Sequence, residues 1–220
     1  MHALQQFIVK DQSLCLSADR SVFWEQEKAL IVSDLHFAKS GHFRKAGIAV
    51  PHSVFKEDMQ RLVAQIQYFD PSVLIVVGDM FHSYANRELE LFSKWRADFK
   101  ELPIRLVRGN HDILPRSWYN STGIEVFETT MNINKFSFRH DPKECRATEN
   151  REQYSFCGHL HPGITIRGAG KQALHFPCFY FSATYCILPA FGRFTGTVNI
   201  EPDEGDTIFA IVNNSIVKVR

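Results

Sequence analysis

The sequence has few cysteines, no long apolar run and almost no net charge. Its five cysteines are widely spaced and include no Cys-x-x-Cys pair, so neither a disulfide framework nor a zinc knuckle is predicted. They are Cys15, Cys145, Cys157, Cys178 and Cys186. No apolar run approaches the about 20 residues that cross a bilayer, which excludes a transmembrane helix. The 25 Lys and Arg residues balance 24 Asp and Glu residues, so any basic site for nucleic acid must be local.

The composition is that of a globular protein. With 220 residues, of which 45% are hydrophobic and 22% charged, the chain is expected to form one α/β domain over residues 1–220. Residues 1–10 contain neither the basic region nor the long apolar stretch of a secretory signal. We therefore expect a cytoplasmic protein with reduced thiols. The 10 histidines are a weak indication of metal or acid–base chemistry.

The hydrophobic pattern changes along the chain. Apolar residues recur at helical spacing from Pro51 to about Tyr68 and again across Asn86–Lys100. Short apolar runs at 73–77 and 103–107 predict buried strands. This β-α-β-α-β order favours a sheet covered by helices. After residue 120 short strands dominate, the last of them predicted over Thr207–Val217, so two packed sheets are expected.

Five of the predicted strands end abruptly in polar clusters. The clusters are Ser33-Asp34-Leu35-His36, Gly78-Asp79, Arg108-Gly109-Asn110-His111-Asp112, His140-Asp141 and Gly158-His159-Leu160-His161. Open α/β sheets bind ligands at the carboxyl ends of their strands, so these clusters should converge. Any one cluster alone indicates little, and the Gly158-His159-Leu160-His161 cluster by itself would more readily be a satisfied turn with one buried imidazole. Five in series favour a functional site.

The converging side chains combine carboxylates, an amide oxygen and imidazoles. They are Asp34, Asp79, Asn110, His36, His140, His159 and His161. This mixture suits a pair of divalent ions such as Mn, Fe or Zn and is too rich in nitrogen for calcium. Two such ions about 3.5–4 Å apart clamp a phosphate and lower the pKa of a bridging water. Asp79 is the candidate bridging ligand, and His111 is a candidate proton donor whose ring Asp112 would orient.

In this order, the motifs between residues 29 and 161 resemble those of the calcineurin-like metallophosphoesterase superfamily. The resemblance implies a four-layer αββα sandwich with two metals at the strand ends. It also implies the ligand sets. Asp34, His36 and His161 would hold the first metal, Asp79 would bridge, and Asn110, His140 and His159 would hold the second. His111 would contact the scissile phosphate as an acid.

Three longer segments are similar to the bacterial ligase-associated metallophosphoesterases. They are residues 33–51, 78–83 and Leu188-Pro189-Ala190-Phe191-Gly192-Arg193-Phe194-Thr195-Gly196. Members of that group are linked with an ATP-dependent DNA ligase, a helicase and an exonuclease, and are described as DNA damage response endonucleases. The resemblance therefore implies a phosphodiesterase that cleaves DNA in repair, with manganese as the first choice of metal.

The residues after the first cluster form a short basic segment. Lys39, His42, Arg44 and Lys45 are expected to bind phosphates of the substrate, although a solvated basic loop has the same composition. His82 is expected either to touch substrate or a metal-bound water, or only to brace its loop.

Two alternative functions fit the same residues. The near-neutral charge favours a small substrate, such as a nucleotide or a sugar-nucleotide, whereas the lack of a cap insertion favours an open site for a polymer. A scaffold partner in a repair complex is the third hypothesis, and the full set of predicted ligands disfavours it.

Overall fold

The structure is a computed structural model that describes residues 3–37, 53–82, 87–146, 152–168, 170 and 172–220. Its first sheet has seven strands in chain order. They are β1 (Leu4–Val9), β2 (Gln12–Ser17), β3 (Ser21–Trp24), β4 (Ala29–Val32), β5 (Val73–Val77), β6 (Ile104–Val107) and β7 (Ile124–Phe127). Strands β1 to β4 pair antiparallel, and β4 to β7 pair parallel. The parallel strands therefore deliver their following loops to one edge.

Within the described residues, the second sheet has nine strands and is mixed. They are β8 (Thr130–Ile133), β9 (Phe136–Arg139), β10 (Tyr154–Cys157), β11 (Pro162–Arg167), β12 (Ala173–Phe181), β13 (Tyr185–Ile187), β14 (Val198–Asn199), β15 (Thr207–Val212) and β16 (Ser215–Lys218). The order is β14-β11-β12-β13-β10-β9-β8, with β15 beside β12 and β16 beside β15. Strands β9 and β10 are parallel, so the loops that follow them also leave at one edge.

Four helices are described. They are α1 (Ser53–Phe69), α2 (Arg87–Asp98), α3 (Arg116–Ser121) and α4 (Pro142–Arg146). Helix α1 buries Phe55, Met59, Leu62 and Ile66, because this three- and four-residue spacing puts them on one face of the helix. Among the described residues, no helix has the length and apolar character needed to cross a membrane.

Three apolar clusters define the layers. The largest joins the inner faces of both sheets, with Trp24 packed against Phe136 at a ring-centroid distance of 4.5 Å. A second cluster joins the outer face of the first sheet to helices α1, α2 and α3. A third contains Cys145 of α4 and the outer face of the second sheet. The predicted four-layer αββα sandwich is confirmed.

The predicted strand Thr207–Val217 is wrong. The chain reverses at Asn213, whose φ of 54° is left-handed, and strands β15 and β16 form an antiparallel hairpin. Asparagine tolerates this backbone region better than most residues, and it permits the tight turn. The polar stretch Asn213-Asn214-Ser215 between the two apolar runs is a turn signal, and a single strand across it overlooks that signal.

Candidate metal centre

Seven polar side chains meet where the two sheets present the carboxyl ends of parallel strands. The first sheet supplies Asp34 and His36 after β4, Asp79 after β5 and Asn110 after β6. The second sheet supplies His140 after β9 and the pair His159 and His161 after β10. The residues that the sequence selected are therefore brought together in space, although they span more than half of the chain.

Asp34, His36 and His161 form the first group. Their candidate ligand atoms all lie within 4.8 Å of one another. The Nε2 atoms of His36 and His161 are 3.1 Å apart, and His161 Nε2 is 3.4 Å from Asp34 Oδ1. Asp34 is fully buried, so its carboxylate must be compensated by a positive charge or by hydrogen bonds.

Asp79, His140 and His159 form the second group, and Asn110 adjoins it. The ligand atoms of these three residues again lie within 4.8 Å of one another. His140 Nε2 is 3.4 Å from Asp79 Oδ2 and 3.2 Å from His159 Nδ1. Asn110 Oδ1 lies 3.2 Å from the same His140 nitrogen. His159 and Asn110 are exposed, so this side of the site is open to solvent.

The carboxylate of Asp79 lies between the two groups. Its Oδ2 atom is 3.4 Å from His140 Nε2 and 4.0 Å from His36 Nε2. Its Oδ1 atom accepts a hydrogen bond of 2.8 Å from the backbone N–H of His111. Asp79 is 2% exposed. One fixed carboxylate thus faces nitrogen donors from both groups, which is the placement that a shared ligand requires.

Two of the imidazoles are oriented by backbone carbonyls. His161 Nδ1 lies 3.1 Å from the carbonyl of Gly196, and His140 Nδ1 lies 3.2 Å from that of Val77. A carbonyl only accepts, so each Nδ1 is the donor, and in a neutral ring the Nε2 lone pair then faces the cluster. This is the usual support of metal-ligating histidines. The donor set therefore fits divalent cations.

The electrostatics of the second group also favour positive charge. Burial alone would lower the pKa of His140, but its hydrogen bond to Asp79 and the charges of Asp34 and Asp79 raise it to about 9. Burial alone would raise the pKa of Asp79, but His140, together with the backbone N–H of His111 and the charge of His36, lowers it to about 2. The pocket stabilises a cation beside Asp79, whether a proton or a metal.

Five of the seven residues have a left-handed backbone. The φ values are 52° at Asp34, 50° at His36, 51° at Asp79, 67° at His159 and 48° at His161. Residues other than glycine rarely adopt this region, and each instance costs on the order of 1–3 kcal/mol. Such concentrated strain is typical of functional sites, and it persists only where the surrounding contacts hold the backbone in place.

Ser33 and the backbone N–H of His159 contact the carboxylate of Asp34, and Gly158 permits their close approach. The hydroxyl of Ser33 shares its proton between Asp34 Oδ2 at 2.6 Å and the carbonyl of Val77 at 2.7 Å, and the backbone N–H of His159 donates to Asp34 Oδ2 at 3.0 Å. A Cβ atom on Gly158 would lie 1.9 Å from Ser33 Oγ and 2.4 Å from Asp34 Oδ2, so this close approach requires glycine. The sequence contained Gly158 in a motif, but nothing in it marked Ser33 as a support.

His111 and His82 lie side by side at the edge of the first group. Their ring centroids are 4.1 Å apart, and each lies 5.5 Å from the ring of His36. His111 is partly exposed, so a substrate can reach it. Its place beside the clusters suits a proton donor. The ring of His82 lies at the same edge of the first group, next to the ring of His111.

Asp112 has a different set of contacts from the one expected. Its Oδ1 accepts from the backbone N–H of Phe81 at 3.0 Å, and its Oδ2 accepts from that of Gly109 at 2.9 Å. Burial raises its pKa to about 7. The carboxyl group therefore ties the loop after β5 to the loop after β6. An additional role in orienting the ring of His111 stays a prediction.

The basic segment that the sequence selected lies outside the described residues. It comprises Lys39, His42, Arg44 and Lys45, and their expected contact with substrate stays a prediction.

Comparison with known proteins gives a family and a structural relative. Residues 28–136 match the family of calcineurin-like phosphoesterases. The crystal structure of the nuclease MPE from Pseudomonas putida superposes with a TM-score of 0.80, at 28% sequence identity, over 94% of this chain and 96% of that chain. No curated protein matches the sequence.

The family match, the fold and the two donor groups agree on the class of protein. The chain is a calcineurin-like metallophosphoesterase. It is therefore a hydrolase that acts on phosphoric esters, and its Asp and His groups are of the kind that bind divalent metals.

Proposed function

We propose that this protein is a phosphodiesterase that uses two divalent ions, manganese as the first choice with iron and zinc as alternatives, to cleave DNA. The observation that carries the proposal is the position of Asp79 between two groups of donors, 3.4 Å from His140 Nε2 and 4.0 Å from His36 Nε2. Asp34, His36 and His161 would hold one ion. His140, His159 and Asn110 would hold the other, and Asp79 would bind both.

The chain's own residues would divide the remaining work. When bound, the ions supply charge neutralisation of the phosphate and a water of lowered pKa. His111, which is partly exposed at the edge of the first group, would donate a proton to the leaving oxygen. Asp112 would keep the loop of His111 fixed through Phe81 and Gly109. His82, whose ring lies 4.1 Å from that of His111, would contact the substrate.

A nucleic acid substrate is supported by two observations, and the choice of DNA comes from the sequence resemblance. The relative with a TM-score of 0.80 is a nuclease, and the similarity covers 94% of this chain. The second donor group is also open to solvent at His159 and Asn110, as the cleavage of a long polymer requires. The basic segment from Lys39 to Lys45 would bind flanking phosphates. We further propose a cytoplasmic role in DNA repair beside a DNA ligase, a helicase and an exonuclease, as the sequence resemblance suggests.

The test is manganese-dependent hydrolysis of three substrates by the purified protein. Bis-p-nitrophenyl phosphate reports diester cleavage, p-nitrophenyl phosphate reports monoester cleavage, and nicked or single-stranded DNA reports nuclease activity. We expect the diester and DNA to be cleaved, and both activities to vanish in Asp79→Ala. This variant also excludes a contaminating nuclease. Diester cleavage without DNA cleavage would indicate a small nucleotide substrate. No hydrolysis with any metal would favour a scaffold.

A further inference from the structure

The segment Leu188–Gly196 borders the first group of the metal centre, and we call it the strap. The backbone N–H of Phe191 donates to the carbonyl of Ser33 at 2.7 Å, and that of Gly192 donates to the carbonyl of Asp34 at 3.1 Å. Further along, the carbonyl of Gly196 accepts from His161 Nδ1 at 3.1 Å. The strap therefore touches the backbone of one residue of the first group and the ring of another.

Two arginines bind the carbonyl oxygens of the strap. Arg20 Nη1 donates to the carbonyls of Ala190 and Gly192, both at 3.1 Å. Arg61 Nη2 donates to the carbonyl of Phe191, and its guanidinium lies 4.2 Å from the centre of the Phe191 ring. Three consecutive carbonyls of the strap are thus bound by guanidinium groups.

Asp58 completes this arrangement. It accepts from Arg61 Nη2 at 2.7 Å and from the backbone N–H of Arg193 at 3.3 Å. The side chains of Arg61 and Asp58 are only 8% and 6% exposed. A buried ion pair is seldom a net source of stability, and apolar residues of similar volume often replace one without loss. Because burial of this ion pair is costly and both residues contact the strap, we infer that they fix its position.

The strap lies very close to the loop that carries Asp34 and Leu35. A Cβ atom on Gly192 would lie 2.7 Å from the carbonyl oxygen of Leu35, which is backbone and follows Asp34 directly. The strap and the loop can therefore approach this closely only with glycine at position 192. A small displacement of the strap would shift both the loop of Asp34 and the carbonyl that orients His161.

We propose that Arg20 and Arg61 are positioning residues of the metal centre, which act by holding the strap against Asp34 and His161. This inference rests on the proposed function, because it concerns binding of the metal by the first group. His140 of the second group is oriented by Val77, which belongs to β5. Loosening the strap therefore weakens one of the two metal sites. Loss of such support typically lowers metal affinity by about 10–100-fold.

Two variants loosen the strap in independent ways. Arg20→Met removes the donor to Ala190 and Gly192, and Arg20→Lys restores one donor and should restore part of the affinity. Gly192→Ala removes no charge and forces the strap away from Leu35, so it serves even if Arg20→Met does not fold. The matched control is Gly168→Ala, because a Cβ at Gly168 meets no atom within 4 Å.

The measurement is calorimetric titration of the metal-free variants with manganese chloride, with thermal unfolding in EDTA as the check of folding. We expect wild type and Gly168→Ala to bind two ions. Arg20→Met and Gly192→Ala should lose about 10–100-fold in affinity at one site and keep the other. Unchanged affinity at both sites, or an equal loss at both that tracks the loss of stability, would overturn the inference. A wild type that binds no manganese would instead refute the proposed function, and the inference with it.

Discussion

Replacing Ser33 by alanine tests whether the first group depends on the support of Asp34. The fully buried hydroxyl lies 2.6 Å from Asp34 Oδ2 and 2.7 Å from the carbonyl oxygen of Val77, so its single proton is shared between two acceptors. A hydrogen bond to a charged group contributes about 1.5–3 kcal/mol. Asp34 keeps the donor of His159, 3.0 Å from the same oxygen, so we expect the lower part of that range. Since each 1.4 kcal/mol corresponds to about tenfold in affinity, one manganese site should weaken by about tenfold.

The assay is the manganese dependence of bis-p-nitrophenyl phosphate hydrolysis, together with calorimetric titration of the metal. The matched control is Ser137→Ala, because Ser137 is equally buried and its hydroxyl has no hydrogen-bond partner among the described residues. Ser33→Ala should require about tenfold more manganese for half-maximal rate, and Ser137→Ala should behave as wild type. If both variants have the manganese dependence of wild type, the hydrogen bond does not support the metal site and our reasoning about Asp34 is wrong.

Three further variants test other parts of the site. His111→Ala should lower kcat for the diester by about 10²–10⁴-fold and leave manganese affinity unchanged, as expected for a proton donor. An unchanged kcat would show that His111 is not the proton donor. Asp112→Asn should lower the free energy of unfolding by about 1–3 kcal/mol, because an amide N–H₂ would face the backbone N–H of Phe81 or Gly109. Chemical denaturation measures this loss, and unchanged stability would contradict the prediction. Gly158→Ala should abolish activity, because the new Cβ would lie 1.9 Å from Ser33 Oγ, and an active variant would show that the loop can move aside.

Much of the site could be predicted because each ligand directly follows a strand with a clear apolar pattern. Parallel strands end at the same edge of a sheet, so Asp34, Asp79 and Asn110 were expected to converge from their positions after β4, β5 and β6. The same strand-end rule predicts that His140 and His159 join the site from the second half of the chain. The family resemblance added the assignment of these histidines to the second metal.

The supports of the site could not be read from local patterns. Arg20 and Ala190 are 170 positions apart in the chain, and only the packing of the two sheets brings them together. Ser33 looks like any residue at the end of a strand, and its role depends on the close approach of Gly158. The similarity of residues 188–196 to a known family was visible in the sequence, but the physical reason, contact with Asp34 and His161, appears only in three dimensions.

The most direct test of the two-metal proposal is the number of manganese ions bound per chain, measured together with activity. Metal-free protein is titrated with manganese chloride by calorimetry while the rate of diester hydrolysis is followed at the same metal concentrations. We predict two ions per chain, with hydrolysis appearing as the second ion binds, and no hydrolysis in EDTA. A chain that binds one ion at full activity, or that hydrolyses the diester in EDTA, would contradict the assignment of Asp79 as a ligand shared by two metals.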